Sequence, residues 1–260
     1  MKDYIHFTPS YLLNPTNPIT VSLIGGGGTG SHVLTCLAKI HVALTAMEHP
    51  GLDVTLYDGD RINEFNAPRQ LFLDNEGGMF KSAALINRVN RFFGLNWKAK
   101  TVFFDKSVRN VSNLYISCVD SVRSRFEIAD FLKSTNYRLN DIDTPYYWLD
   151  FGNSTSTAQA IISTISPNQQ PKSTKYKTVA KLPFITDEFK DLLTSSEQTD
   201  QTPSCSVADA LSQQDLFINP NIANMGAALL WSLFRNGFIR DRGVFLNIDT
   251  LRSTPLPLTG

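Results

Sequence analysis

Cysteine is scarce in this chain, whose 260 residues include only Cys36, Cys118 and Cys205. No two of them form a Cys-x-x-Cys pair, and an odd number of cysteines does not fit a disulfide framework. The same spacing argues against a zinc site built from thiolates. We therefore expect neither a disulfide-stabilised fold nor a structural zinc ion.

An excess of charge of one sign is also missing, because 24 Lys and Arg residues balance 24 Asp and Glu residues. No basic block breaks this balance, so we expect no nucleic-acid partner. Long apolar runs are missing as well, since no segment approaches the roughly 20 residues that cross a bilayer. Residues 1–18 have neither the cationic start nor the apolar centre of a signal peptide. We expect a cytoplasmic protein without a membrane partner.

Glycine, by contrast, is concentrated in one stretch. Residues 19–31 read I-T-V-S-L-I-G-G-G-G-T-G-S, an apolar run of strand length that ends in four glycines. Gly25, Gly27 and Gly30 fit Gly-x-Gly-x-x-Gly, in which glycines allow a tight turn and a close approach of the backbone to a phosphate. The N–H groups at the start of the following helix would then face the anion.

Hydrophobic periodicity predicts an alternation of helices and strands around this turn. A continuous apolar run such as 114–119 is typical of a buried parallel strand. We predict an α/β fold: a Rossmann-like, doubly wound, mostly parallel sheet flanked by helices, with antiparallel strands toward the C-terminal end. Helices are predicted at 29–47, 79–93, 122–133 and 219–236, and strands at 53–58, within 97–104, and at 114–119, 146–151, 157–165 and, as an exposed edge, 243–248.

Two segments stand outside this alternation. Residues 1–18 contain three prolines and are predicted to form an extended arm. Residues 167–204 are rich in Gln, Lys, Ser, Thr and Asp, and a polar loop region of this length is usually functional or mobile. With 42% hydrophobic residues, the chain can build a large core, and we expect one domain over 1–260, with 167–204 as a polar crossover loop.

Acidic residues follow two of the predicted strands. Asp58 follows the strand at 53–58 and Asp120 the strand at 114–119. Because the carboxyl ends of parallel strands meet at one crevice, both acids are expected beside the glycines. In nucleotide-binding folds an acid at the position of Asp58 holds ribose hydroxyls. It lies 28 positions after Gly30, rather than about 20, which a longer helix and loop can absorb.

Further motifs accompany these acids at a defined spacing. They are D-G-D-R-I-N-E-F-N-A-P-R-Q at 58–70, Lys81 in G-M-F-K-S-A, and D-S-V-R-S-R at 120–125. In them the chain resembles the ThiF/MoeB/HesA family, the ubiquitin-activating-enzyme-like adenylating enzymes, strongly over 19–131 and more loosely from 203 onward. Within the family it most resembles the ThiF-related proteins of plasmid-borne PRTRC cassettes, through T-P-S-C-S-V-A-D-A-L and D-L-F-I-N-P-N.

The resemblance implies that ATP and Mg²⁺ are bound at the glycine-rich turn. By this resemblance the nucleotide contacts Asp58 through its ribose, lies beside Asp60, and is lined by Gly25, Gly27, Gly28 and Gly30.

Joining a carboxylate to the α-phosphate of ATP requires cations that neutralise the triphosphate. Arg69 offers a planar fork for phosphate, Lys81 a point charge, and Asn66 an uncharged hydrogen bond. Asp120 offers a hard oxygen ligand for Mg²⁺. As alternatives, Arg69 and Lys81 are ordinary solvated charges.

The sequence leaves two interpretations open for each of two residues, Cys205 and Arg125. Cys205 lies at the position that resembles the family's thiol for a thioester or persulfide link, or it is a passive loop thiol, since no base lies near it in sequence. Arg125 matches the family's D-N-x-x-x-R pattern, in which Ser121 here replaces Asn, or it pairs with a carboxylate on a helix face. The chain departs from the family again because its first arginine is Arg61, so the N-terminal arginine that members give to the other subunit is missing or replaced.

Taken with the resemblance, these residues predict an adenylyltransferase. Its expected substrate is the C-terminal carboxylate of a small ubiquitin-like or sulfur-carrier protein that ends in glycine, and the resemblance implies a homodimer. An NAD(P)-dependent oxidoreductase is the alternative that the glycine motif alone would favour. A non-catalytic nucleotide-binding scaffold of a plasmid cassette is the second alternative, motivated by Ser121 and the missing N-terminal arginine.

Overall fold

The structure is a computed structural model that describes residues 3–63, 70–105, 107, 111–134, 142–166, 168–197 and 214–260. The strands are β1 (Tyr4–Phe7), β2 (Ile19–Ile24), β3 (Leu52–Tyr57), β4 (Lys98–Lys100), β5 (Leu114–Ser117), β6 (Tyr147–Asn153), β7 (Thr157–Thr164), β8 (Lys177–Thr178), β9 (Phe238–Ile239), β10 (Asp241–Asn247) and β11 (Arg252–Pro257). The helices are α1 (Ser10–Leu13), α2 (Gly28–Ala46), α3 (Lys81–Phe93), α4 (Val122–Ser134), α5 (Ile185–Glu188), α6 (Lys190–Glu197) and α7 (Ile218–Asn236).

The main sheet has the order β11-β10-β7-β6-β5-β2-β3-β4 in the part of the chain that is described. The five strands from β6 to β4 are parallel. The pairs β6/β7, β7/β10 and β10/β11 are antiparallel. The predicted fold class is therefore confirmed, including the antiparallel strands toward the C-terminal end.

Helices cover both faces of this sheet. On one face α2, α3 and α7 bury residues such as Leu34, Leu85 and Leu230 against the strands. On the other face α4, α5 and α6 bury residues such as Leu132 and Leu193. Burial on both faces explains why β5 is apolar without alternation. No helix among the described residues is long and apolar enough to cross a bilayer.

The chain reverses its direction of travel across the sheet at β2. From β2 it continues to β3 and β4 on one side, and then returns to β5 and β6 on the other. In open α/β sheets, ligands bind in the crevice at the carboxyl ends of the strands, where this order reverses. The ends of β3, β2, β5 and β6 therefore form the edge at which a site is expected.

The prediction of an exposed edge strand at 243–248 is wrong. β10 lies between β7 and β11, and β11 is the edge. The alternating pattern reflects one buried face of β10, where Leu246 is 8% exposed, and does not report whether a neighbouring strand is present. β11 carries Pro255 and Pro257, which suit an edge because proline cannot donate to a further strand.

The first residues pair with two later segments. β1 pairs parallel with β8 and antiparallel with β9. His6 in β1 is fully buried, with Nδ1 2.6 Å from the carbonyl of Val179 and Nε2 2.7 Å from the hydroxyl of Tyr147. The contact with Tyr147 holds β1 against β6, and the contact with Val179 holds it against the segment after β8.

Candidate functional site

A cavity of about 350 Å³ opens at the carboxyl ends of β2, β3, β5 and β6. Part of its lining is apolar and includes Tyr57, Phe103, Phe104 and Val119. The lining also contains most of the described residues that the sequence marks as site residues. These are Gly25, Gly27, Gly28, Asp58, Asp60, Lys81 and Asp120.

The glycine turn joins β2 to α2 and forms the floor of this cavity. Gly25 has φ +95°, and a Cβ on it would meet the carbonyl oxygen of Cys118 at 2.6 Å, so a side chain is excluded on two grounds. The first N–H groups of α2, a helix of 19 residues, have no partner within the helix and carry partial positive charge. The floor is thus suited to an anion.

Gly30 does not line the cavity, and its place is structural. A Cβ on Gly30 would lie 1.9 Å from the carbonyl oxygen of Gly25. The helix and the turn therefore pack closely at Gly30, because backbone atoms lie where any side chain would stand.

We expect Gly30→Ala to lower the free energy of unfolding by about 1–3 kcal/mol, because backbone must move to admit the methyl group. Gly27→Ala is the matched control: a Cβ there meets nothing within 4 Å, and its φ is −76°. This variant should change the unfolding free energy by less than about 0.5 kcal/mol. Urea denaturation of both variants measures the difference, and equal stabilities would contradict the packing role.

Asp58 lies just beyond β3 and is 6% exposed. Its Oδ2 accepts a hydrogen bond from the N–H of Gly26 at 2.6 Å, and its Oδ1 accepts one from the N–H of Asp60 at 2.8 Å. Burial raises the pKa of Asp58, while these two hydrogen bonds and the charge of Lys81 oppose the rise. The carboxylate fixes the turn and presents its remaining lone pairs to the cavity.

Lys81 begins α3 and is held against Asp60. Its Nζ lies 3.1 Å from Oδ2 of Asp60, and its side chain is 10% exposed whereas that of Asp60 is 54% exposed. The backbone N–H of Lys81 also donates to the carbonyl of Asp60 at 2.9 Å. Lys81 is the only cation among the described residues that line the cavity.

Asp120 follows β5 and is exposed at the cavity. Mg²⁺ is commonly held in proteins by one or two carboxylates, with substrate phosphates and water in the other positions. Among the described residues, no three His, Cys, Asp or Glu side chains converge to hold a metal by themselves. Asp120, a carboxylate beside an anion-binding turn, fits a site in which the protein and the substrate phosphates hold Mg²⁺ together.

Arg125 does not reach the cavity and is 5% exposed. Its Nε donates to Oδ2 of Asp150 at 3.0 Å, and its Nη2 donates to the carbonyls of Val119 and Phe151 at 2.8 Å each. The expected alternative partner, a carboxylate on a helix face, is wrong, since Asp150 lies on β6. Arg125 therefore clamps the segment before Asp120 to the end of β6.

A group of uncharged side chains that also line the cavity was missed in the sequence. Thr29 Oγ1 donates to Asn219 Oδ1 at 2.8 Å. Asn153 Nδ2 lies 2.7 Å from the same oxygen and 3.2 Å from Thr29 Oγ1. Asn219 Nδ2 donates to Gln214 Oε1 at 3.0 Å. We call these four residues the amide network; the one sequence signal was Asn219, within the motif D-L-F-I-N-P-N.

Three predicted site residues, Asn66, Arg69 and Cys205, lie outside the described residues. The other two cysteines are described. Burial raises the pKa of both Cys36 and Cys118. A raised pKa disfavours the thiolate, so neither of these two thiols has the character of a nucleophile.

No family model matches this chain, and no curated protein matches it either. Solved structures do match its fold at low sequence identity. Escherichia coli MccB with MccA has a TM-score of 0.60 at 15% identity, over 95% of this chain and 65% of MccB. E. coli MccB with ATP gives 0.57 at 15% identity, over 95% and 64%. PaaA gives 0.59 at 13% identity, over 92% and 64%.

The chain thus spans less than two thirds of the length of each of these proteins. At these identities the likeness establishes the fold alone. The chain has the Rossmann-like fold of MccB, with the antiparallel strands at its C-terminal end.

Proposed function

We propose that this chain uses ATP to adenylate the C-terminal carboxylate of a peptide or small protein. The observation that carries the proposal is that Asp58, Lys81 and Asp120 line one cavity, at the start of the glycine-bordered helix α2. MccB supports it as a protein of the same fold that has been solved with ATP and with MccA. An enzyme that displaces pyrophosphate needs this combination of anion site, cation and metal ligand.

In the proposed reaction a carboxylate oxygen of the substrate forms a bond to the α-phosphorus of ATP. The bond from that phosphorus to the bridging oxygen of pyrophosphate breaks, and pyrophosphate leaves with the electron pair. The product is an acyl-adenylate. Catalysis then consists of positioning and of neutralising charge on the phosphate oxygens. Lys81 and the first N–H groups of α2 would provide this neutralisation.

The nucleotide would lie along the row of strand ends. Asp58 would accept hydrogen bonds from the ribose hydroxyls, with Asp60 beside it, and the apolar part of the lining would receive the base. Asp120 would hold Mg²⁺ together with phosphate oxygens and water. When bound, this ion withdraws charge from the phosphates.

Several finer proposals follow from the sequence resemblance. Arg69 and Asn66 would contact the phosphates. The Cys205 thiolate would attack the acyl carbon of the adenylate, forming a thioester and releasing AMP. The substrate would be a ubiquitin-like or sulfur-carrier protein ending in glycine. The chain would act in the cytoplasm as a homodimer of single-domain subunits, within a PRTRC-type cassette.

ATP–pyrophosphate exchange tests the proposed reaction. The small proteins encoded beside this one, and peptides with their C-terminal sequences, serve as substrates. Exchange should arise only when a substrate with a free C-terminal carboxylate is present, and its amidated form is the control. Cys205→Ala should keep exchange but lose the thioester, which is detected by its sensitivity to reducing agent. No exchange with any of these substrates would count heavily against the proposal.

The raised pKa of Asp58 predicts a pH dependence of nucleoside binding. Protonation removes an acceptor for the ribose hydroxyls, so affinity should fall as the pH is lowered through this pKa, by up to about tenfold per pH unit. Sulfamoyladenosine, a phosphate-free adenylate analogue, is a suitable probe for calorimetry. Asp58→Asn should bind it more weakly at neutral pH and lose this dependence. The same pH profile in both proteins would assign the titration to another group.

A nucleotide-binding scaffold without turnover is the second candidate. Lys81, the only described cation of the cavity, is already paired with Asp60. Tight ATP binding with no exchange for any substrate would favour this candidate. A parallel titration with NADH distinguishes the adenylating enzyme and the scaffold from an NAD(P)-dependent oxidoreductase. An oxidoreductase of this kind should bind NADH and should not bind ATP.

A further inference from the structure

The amide network occupies a defined place along the edge of the sheet. Its residue Asn153 ends β6, while Asp58 follows β3, and the order of strands between them is β3-β2-β5-β6. Three strand spacings separate these ends, a distance of about 14 Å. A nucleotide with its ribose at Asp58 and its phosphates at the β2 turn fills the first part of this row. The network lies at the other end of this row, where a substrate carboxylate would approach a nucleotide bound in this way.

The network leaves one acceptor and one donor for a ligand. Its internal hydrogen bonds use Asn153 Nδ2, both amide atoms of Asn219, and Gln214 Oε1. Within the network, Asn153 Oδ1 and Gln214 Nε2 take no part, and both residues line the cavity. A peptide group presents the complementary pair, an N–H donor and a C=O acceptor. The network carries no charge, so it does not select a charged side chain.

The network is also held rigidly. Asn219 is 1% exposed and packs on Gly28, where a Cβ would lie 2.6 Å from its Nδ2. Thr29 belongs to the first turn of α2, so the network is directly bonded to the phosphate-binding turn. A ligand group bound at Asn153 is therefore placed at a set distance from the α-phosphate. Preorganisation of this kind favours a precise line of attack.

We propose that the amide network is a subsite for the main chain of the substrate's last residues, read through Asn153 Oδ1 and Gln214 Nε2. The proposal rests on the adenylation function proposed above and deepens it, by naming the recognised part of the substrate. The substrate class is an extended peptide tail that precedes the reacting carboxylate. Its side chains at these positions are not selected by the network.

Acyl sulfamates of adenosine test this subsite with the full chain. Three probes are compared by calorimetry: sulfamoyladenosine, its glycyl conjugate and its Ala-Ala-Gly conjugate. The tripeptidyl probe should bind about tenfold more tightly than the glycyl probe, the gain expected of two hydrogen bonds of ordinary strength. Asn153→Ala should reduce this ratio to about threefold, because it removes one of the two hydrogen bonds. Asn221→Ala, on an exposed asparagine of α7 outside the cavity, should keep it.

A second measurement does not depend on the folding of a variant. An Ala-Ala-Gly probe that is N-methylated at glycine should keep only about threefold of the tenfold gain on the unaltered protein, because methylation removes the N–H donor and so one of the two hydrogen bonds. A full tenfold gain that survives methylation, or equal affinities of the glycyl and tripeptidyl probes, would overturn the subsite alone. If sulfamoyladenosine and both conjugates fail to bind, this result contradicts the proposed adenylation function as well as the subsite.

Discussion

Replacing Asp120 by alanine is expected to lower substrate-dependent ATP–pyrophosphate exchange by about a hundredfold or more. The carboxylate is exposed at the cavity beside the anion-binding turn, where it would share Mg²⁺ with the nucleotide. Loss of this ligand should also raise the Mg²⁺ concentration needed for half-maximal exchange. The measurement is a magnesium titration of the exchange rate.

Asp130→Ala provides the control, because it removes an exposed carboxylate from α4 that does not line the cavity. It should keep both the exchange rate and the magnesium requirement. The unfolding free energy of either variant should change by less than about 0.5 kcal/mol, as is usual for exposed positions. An Asp120→Ala protein with an unchanged magnesium requirement would show that Asp120 is not the ligand.

Replacing Arg125 by methionine is expected to lower the free energy of unfolding by about 3–5 kcal/mol. The change leaves Asp150, which is 1% exposed, as a buried carboxylate without its cation. It also removes the hydrogen bonds to the carbonyls of Val119 and Phe151. Denaturant unfolding measures the effect. Arg123→Met, on an exposed arginine of α4 paired with Glu127, should cost less than about 0.5 kcal/mol.

The pH dependence of this destabilisation identifies its cause. Burial raises the pKa of Asp150, and Arg125 opposes the rise. Without Arg125 the pKa in the folded state rises further above that in the unfolded chain, so the folded state binds the proton more tightly. The loss of unfolding free energy in Arg125→Met should therefore grow as the pH rises through the range in which Asp150 titrates, and it should shrink on acidification. Asp150→Asn in the same protein should recover part of the stability, and a pH-independent penalty would indicate lost packing instead.

Arg125 also bears on the site, although it does not touch the cavity. It joins the residue before Asp120 to the end of β6, where Asn153 lies. The expected metal ligand and the amide network are thus set relative to each other by one buried side chain. The buried ion pair of Arg125 and Asp150 therefore both stabilises the sheet and fixes the relative positions of residues at its edge.

Much of the fold follows from the sequence, because its signals are local. Apolar runs of strand length, helices with a 3.6-residue period and the glycine turn each depend on neighbouring residues. Alternation of strands and helices implies a parallel sheet, and a parallel sheet places residues such as Asp58 and Asp120 at one edge. The cavity that these two acids share with Lys81 could therefore be predicted before any coordinates were available.

Pairings between distant segments could not be predicted in this way. A periodic pattern shows that a helix buries one face, or that a strand does, but not which partner covers it. For this reason the prediction of an edge strand at β10 is wrong, and neither of the two interpretations of Arg125 identifies its partner, Asp150. The sequence by itself determined the glycine turn and the acids along the sheet edge. Only the tertiary structure brought Asn153 and Asn219 together, because that contact depends on where α7 packs against α2.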